Sequence, residues 1–217
     1  MRVRCPVFEG DQAVERLAEL GLTPQVLEFA LIGADAEART YTALDPPNMQ
    51  GMARYSRTVR LLREQLVPLG WTHDNPRNLA RTLSPDRRVA VIATLGDAAT
   101  GVAHGLPSTR YGKGVATVEA VSRNFVQLTL PIDLGDPDPL DSDTEDGTVT
   151  WVLLYHVTDT EIRAELSLPD SMVDGYIDTW MQRLILPPVT LEPGPDPAQM
   201  WLDMDVAPEV LVTRRSA

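Results

Sequence analysis

A single lysine stands among the 19 basic residues of this chain, and the other basic residues are arginines. This residue, Lys113, lies between Gly112 and Gly114 in a segment that also holds Arg110 and Tyr111. An ammonium group is a compact point charge with a pKa that its surroundings can shift, whereas a guanidinium is a rigid fork that stays charged. Flanking glycines let backbone amides approach an anion closely. The pattern favours an anion-binding loop, and the alternative is a solvated loop charge without a function.

The loop 97–114 is the predicted ligand-binding segment. Arg110 and Lys113 are the predicted phosphate contacts, and Tyr111 offers a ring on which a base can stack. Three arginines on the polar side of a predicted helix form the predicted rim, with a solvated helix face as the alternative. The full predicted set is Lys113, Arg110, Tyr111, Gly112, Gly114, Asp97, Arg54, Arg57 and Arg60.

The charge of the chain is unevenly distributed. The net charge is −12, yet residues 51–123 hold eleven Lys plus Arg against five Asp plus Glu, a balance of +6. An acidic protein repels nucleic acid and anionic lipid at long range. Salt screens charges that lie more than about one Debye length away, roughly 8 Å at physiological salt, so the attraction of an anion depends on the charges near its site. The middle of the chain is therefore the part predicted to attract phosphate.

Motifs of several catalytic and cofactor-binding classes are missing from the sequence. Gly112 and Lys113 are followed by Gly114 rather than Ser or Thr, so they do not form a Walker-type phosphate loop. A dinucleotide fingerprint, a nucleophile elbow and a paired-histidine zinc motif are not found either. The single cysteine, Cys5, allows no internal disulfide and no cysteine-based zinc site. The sequence predicts no metal and no cofactor, and it favours binding over catalysis.

Hydrophobic periodicity predicts an α+β fold. Three helices are expected within residues 1–70, and a period of two from residue 79 predicts strands up to residue 168. Two hairpins are indicated by the turns at 84–87 and 158–160, and the segment 125–130 is also predicted as a strand. Apolar residues spaced along 171–186 predict a fourth helix. The expected architecture is an antiparallel sheet of about five strands, with helices on one face and an extended C-terminal tail.

Domain organisation follows from composition. Residues 1–188 are predicted to form one domain, and residues 189–217 a proline-rich acidic tail. The segment 133–147 holds seven carboxylates and no basic residue, which is typical of a solvated connector. An alternative for this segment is a tethered competitor of phosphate at the basic site.

Two functions are expected from different classes. The first is a binding module for an anionic ligand, either a nucleotide or a nucleic acid, through the loop 97–114. The alternative is an acidic interaction or regulatory subunit that reaches a protein partner through the tail, where Trp201 supplies an aromatic anchor. The sequence leaves the oligomeric state open.

No apolar run approaches the roughly 20 residues of a membrane span. The first residues lack the apolar stretch of a secretory signal, so we expect a cytoplasmic protein with no membrane partner.

Three stretches carry a resemblance: residues 66–71, 96–101 and 108–114. They resemble segments of uncharacterised proteins from high-GC bacteria and their plasmids or phages, over about residues 20–127. The resemblance implies a bacterial or mobile-element origin and no activity or site residue.

Overall fold

The computed structural model describes residues 5–129 and 147–192. Its α-helices are α1 (Gly10–Glu19), α2 (Pro24–Ala38), α3 (Met49–Leu66) and α4 (Val115–Thr129), with short 3₁₀ helices at Val67–Leu69 and Pro76–Asn78. Its strands are β1 (Val7–Phe8), β2 (Thr72–Asp74), β3 (Arg81–Leu83), β4 (Val89–Leu95), β5 (Val149–Val157), β6 (Glu161–Val173), β7 (Tyr176–Ile185) and β8 (Val189–Thr190).

All eight strands belong to one mixed sheet. Seven of them run in the order β1-β7-β6-β5-β4-β3-β2, and β8 pairs with β6 beside this path. The pairs β2–β3, β3–β4, β5–β6 and β6–β7 are antiparallel, whereas β4 with β5 and β1 with β7 are parallel. The prediction of α+β with antiparallel hairpins is confirmed, but the sheet is larger than five strands and is mixed. The sheet is mixed because the long connection through α4 returns the chain to the start of β5, so that β5 runs parallel to β4.

The helices cover both faces of the sheet, so the prediction of helices on one face is wrong. On one face α1, α2 and α3 bury Leu17, Leu27 and Leu62 against the sheet residues Leu153 and Tyr155. On the other face α4 packs through a smaller apolar cluster that consists of Ile92, Val121, Val152, Leu154, Ile177 and Trp180. Strands β4 and β5 are therefore buried on both sides, which explains why their sequences are apolar at nearly every position.

The helix predicted at 171–186 is wrong, because this region is the end of β6 followed by β7. The two strands are joined by a tight turn in which Asp174 and Gly175 both have positive φ, 51° and 81°. Irregularities shift the β6–β7 register between Leu168 and Met172. These bulges disturb the alternation of apolar residues, so the spacing looks helical.

The strand predicted at 125–130 is also wrong as far as it is described, because α4 continues to Thr129. One contact explains how α4 is held: the buried Asn124 side-chain amide donates to the Thr150 carbonyl at 2.8 Å and accepts from its N–H at 2.8 Å. The β5–β6 pairing ends at Val152 and Ser167, and continuing its register would place Pro169, which has no N–H to offer, opposite Thr150. Asn124 therefore takes the place of a strand partner at this point.

No single described helix is long and apolar enough to cross a lipid bilayer. The helices α1 and α2 reach the required length and hydropathy only as a pair, and the pair is bent by 97°.

Candidate functional site

A cleft of about 600 Å³ opens at the carboxyl end of β4. The first turns of α3 form one wall, residues 78–80 form a second, and the last part of the loop 97–114 forms a third. Its floor is β4 itself, from Ile92 to Leu95. The volume lies within the range of about 300–1,000 Å³ that small-molecule sites occupy.

The loop that follows β4 is fixed at both ends by backbone hydrogen bonds. At its start, the N–H of Gly96 donates to the Tyr155 carbonyl at 2.8 Å. No side chain fits at this position, since an added Cβ would lie 2.1 Å from the hydroxyl oxygen of Thr100. At its end, the N–H groups of Arg110 and Lys113 donate to the carbonyls of Leu95 and Gly175 at 2.9 and 2.7 Å. The predicted long loop is therefore an ordered part of the site.

A buried ion pair holds the middle of this loop. Arg183 of β7 and Glu165 of β6 are both almost fully buried and lie 2.5 Å apart. The Arg183 guanidinium also donates to the carbonyls of Gly105 and Val102 at 2.8 and 3.1 Å. Glu165 in turn accepts the N–H of Gly101 at 3.1 Å. Both charges of this pair are compensated within the fold, and their remaining hydrogen bonds go to the loop backbone. The pair therefore fixes the position of the loop.

Lys113 is the half-buried cation of the cleft. Its ammonium group donates to the Thr94 hydroxyl at 2.5 Å. No Asp or Glu of the described residues forms an ion pair with it, and burial lowers the pKa of this lysine. The helix α4 begins two residues later and its Thr117 also lines the cleft, so the positive end of a helix dipole lies on the same side.

Arg110 and Tyr111 lie at the exposed mouth of the cleft. The Arg110 guanidinium sits 5.8 Å from the centre of the Tyr111 ring, and this ring is 57% exposed. Arg110 forms no ion pair with a described residue. Both side chains are therefore accessible at the mouth, and Lys113 lies deeper.

The predicted rim of three arginines is wrong for two of them. Arg54 lines the cleft, but its guanidinium is 2.9 Å from a buried carboxylate of α2, Asp35. Arg57 pairs with Glu37 of α2, and Arg60 pairs with Glu64 of its own helix at 2.6 Å. Neither of the last two lines the cleft. The sequence did not show this because the partners of Arg54 and Arg57 come from the packing of α2 against α3.

Three further predicted residues lie outside the cleft. The Asp97 carboxylate accepts the N–H of Ala99 at 3.0 Å and shapes the loop. Gly112 packs beside Gly175 and the ring of Tyr176, and the carbonyl of Gly114 accepts the first amides of α4. Their roles are structural, because they set the backbone that presents Lys113.

The sequence missed several residues of the cleft, among them Tyr55, Asn78 and Thr94. Asn78 follows Arg77, and both have positive φ, 66° and 47°, which is uncommon for residues other than glycine. Backbone strain of this kind tends to cluster at functional sites. No sequence signal marks these residues, since they meet only where the start of α3, the segment before β3 and the end of β4 come together.

The acidic segment 133–147, apart from Gly147, and nearly all of the predicted tail 189–217 lie outside the described residues. Within 5–129 and 147–192, no group of three or more His, Cys, Asp or Glu side chains is placed to hold a metal ion.

Comparison with family models, with curated proteins and with solved structures finds no match for this chain.

Proposed function

We propose that the cleft binds a small anionic ligand with a flat, partly apolar body, of which a nucleotide is the best candidate. The observation that carries this proposal is the environment of Lys113, a half-buried ammonium that has a hydroxyl but no described carboxylate beside it. A cation removed from water without a counter-charge is costly, and a bound anion would offset that cost.

The other cations of the molecular interior support this interpretation. Arg54, Arg81 and Arg183 each lie within 3 Å of a carboxylate oxygen. Arg63, whose pKa burial lowers, donates instead to three oxygen acceptors of residues 74, 75 and 81. Lys113 has a single described hydrogen-bond acceptor. It therefore differs from the structural cations because its charge is left without a counter-charge among the described residues, as an anion-binding group requires.

The shape and lining of the cleft favour a nucleotide over a nucleic-acid strand. Apolar side chains of Leu79, Ala80 and Ile92 and the ring of Tyr55 suit a flat ring, while Lys113 and Arg110 suit its phosphate. A polymer would also meet the repulsion of a chain with a net charge of −12. A nucleic-acid strand remains the second ligand to test, and the cytoplasmic location stays a prediction from the sequence.

Binding is tested by isothermal titration of the full chain with nucleoside mono-, di- and triphosphates, inorganic phosphate and a short single-stranded oligonucleotide at low salt. We expect a nucleotide to bind, and Lys113→Met to weaken it at least tenfold, equivalent to about 1.4 kcal/mol. Arg60→Met is the matched control, because it removes the same charge outside the cleft. Absence of binding by every nucleotide would contradict the proposal, and tighter binding of the oligonucleotide would favour a nucleic-acid function.

The acidic interaction subunit is the alternative, and its tail lies outside the described residues. Pull-down with the full chain and with residues 190–217 removed tests it; identical partner lists would exclude the tail as the interaction surface.

A further inference from the structure

The backbone of β4 alternates between the two edges of the strand. The N–H of Gly96 donates to the Tyr155 carbonyl, and the Arg88 carbonyl accepts from the N–H of Val149, both at 2.8 Å. With the parallel register of β4 and β5, these two bonds assign the even-numbered residues of β4 to the β5 edge. The N–H and carbonyl groups of Val89, Val91, Ala93 and Leu95 therefore point to the opposite edge.

Three of these four residues have partners on that edge. Val89 bonds to Ser84, through its carbonyl at 2.8 Å and its N–H at 3.0 Å. Val91 pairs with Thr82 of β3, and the Leu95 carbonyl accepts the N–H of Arg110 at 2.9 Å. Ala93 lies between them, and none of the described residues pairs with it on this edge.

The gap at Ala93 has a visible cause. Continuing the β3–β4 register places Ala80 opposite Ala93, but β3 begins only at Arg81. Just before it, the positive φ angles of Arg77 and Asn78 turn the chain away from the sheet. Ala93 and Ala80 instead line the cleft on facing sides. Although it lines the cleft, Ala93 is only 7% exposed, and buried backbone groups are nearly always hydrogen-bonded.

We propose that the N–H and carbonyl of Ala93 bind the edge of a planar heterocycle that carries an adjacent acceptor and donor, as a nucleobase does. This inference rests on the proposed function and names the part of the ligand that is not anionic. The gap comprises the N–H and carbonyl of Ala93 and the N–H of Leu95, since among the described residues only the Leu95 carbonyl is bonded there. It is too short for an added peptide strand but sufficient for one ring that forms two hydrogen bonds with Ala93. The apolar side chains of Leu79 and Ile92 lie beside it.

The same strand orders the rest of the ligand. Thr94, the next residue of β4, holds the ammonium of Lys113, and Arg110 lies at the exposed mouth. A base at Ala93 would therefore place its phosphate within reach of Lys113 and Arg110. In this arrangement backbone groups bind the base and cationic side chains bind the phosphate.

The first experiment compares each nucleoside 5′-monophosphate with ribose 5-phosphate by titration calorimetry. We expect at least one monophosphate to bind tenfold or more tightly than ribose 5-phosphate. Equal affinities would overturn the base-recognition role while leaving the anion site in place. Absence of binding by all of them would instead contradict the proposed function itself.

The second experiment observes the backbone directly, in protein labelled with ¹⁵N-alanine. Saturation with the tightest-binding monophosphate should shift the Ala93 amide resonance and slow its hydrogen exchange at least tenfold. Ala90 is the internal control, because the alternation of β4 directs its N–H toward β5. An unchanged Ala93 amide in the bound protein would overturn the inference.

Discussion

Arg183 holds the middle of the loop 97–114 and Lys113 lies near its end, and the two cations differ in how their charges are matched. Arg183 is buried against Glu165 at 2.5 Å and donates to two loop carbonyls as well. Lys113 is half-buried at the cleft and donates to the hydroxyl of Thr94. The first cation has its counter-charge within the fold, whereas the second has none among the described residues.

This difference distinguishes a cation that positions the loop from a cation that is available to bind a ligand. A paired buried charge contributes geometry, and removing one partner leaves the other uncompensated. A cation without a counter-charge contributes little to stability and is available to an external anion. Replacing Arg183 should therefore lower stability, whereas replacing Lys113 should lower ligand affinity without lowering stability.

The largest effect is expected from Arg183→Met. The variant leaves the Glu165 carboxylate buried without its partner, so the free energy of unfolding should fall by about 3–5 kcal/mol. Urea denaturation measures it, and Arg16→Met in an exposed pair should change stability by less than about 1 kcal/mol. Adding Glu165→Gln to Arg183→Met should recover part of the loss. A loss as small as that of Arg16→Met would contradict the structural role of the pair.

Lys113→Met should show the reverse behaviour. Methionine fills similar space without a desolvated charge, so the variant should unfold at the same temperature as the wild type or a few degrees higher. A calorimetric scan measures the melting temperature, without ligand. A destabilisation comparable to that of Arg183→Met would mean that Lys113 is a structural cation, and the comparison would fail.

The pH dependence of binding should report the same lysine. Its pKa in the folded protein is lowered by burial, and an anion binds its charged form. Affinity for adenosine monophosphate should therefore be full below that pKa and should decline as pH rises through it, earlier than for an exposed lysine with a pKa of 10.5.

Calorimetric titrations between about pH 7.5 and 10.5 follow this decline, since the phosphate stays doubly charged above its second pKa of about 6. Lys113→Arg should abolish the decline, because a guanidinium stays charged throughout. The same decline in that variant would assign the titration to another group.

The smallest effect is expected from Arg57→Met. Arg57 is paired with Glu37 and does not line the cleft. Nucleotide affinity should therefore stay within about twofold of the wild type, a difference of roughly 0.4 kcal/mol. A tenfold loss, measured in the same titration, would restore Arg57 to the binding site and weaken the distinction between paired and unpaired cations.

Local patterns predicted the elements with ordinary geometry. The three N-terminal helices and the hairpins β3–β4 and β5–β6 follow from periodicity and turn residues. The region of β7 was misassigned because bulges disturbed its alternation, although Asp174 and Gly175 are a strong hairpin signal. The strand predicted at 125–130 was wrong because α4, which is held partly by tertiary contacts such as that of Asn124, continues to Thr129.

The candidate site divides in the same way. Lys113, Arg110 and Tyr111 could be found from sequence, because residue type and flanking glycines mark them. The pairing of Arg54 with Asp35 could not, since it depends on how two helices pack. The open edge at Ala93 leaves no trace in the sequence, because it depends on where β3 stops pairing.

The parallel contact between β4 and β5 has a consequence for the order of folding. The strands β2–β4 and β5–β7 are each built from neighbours in sequence, while β4 and β5 join residues as distant as Val89 and Val149. Closing so long a connection is entropically costly, and non-local pairings form slowly. We expect the two antiparallel halves to acquire structure first and the seam between them to close last. Since the cleft is lined by residues of both halves, such as Ala93 of β4 and Ile177 of β7, the capacity to bind a ligand should appear in refolding only after most of the secondary structure has formed.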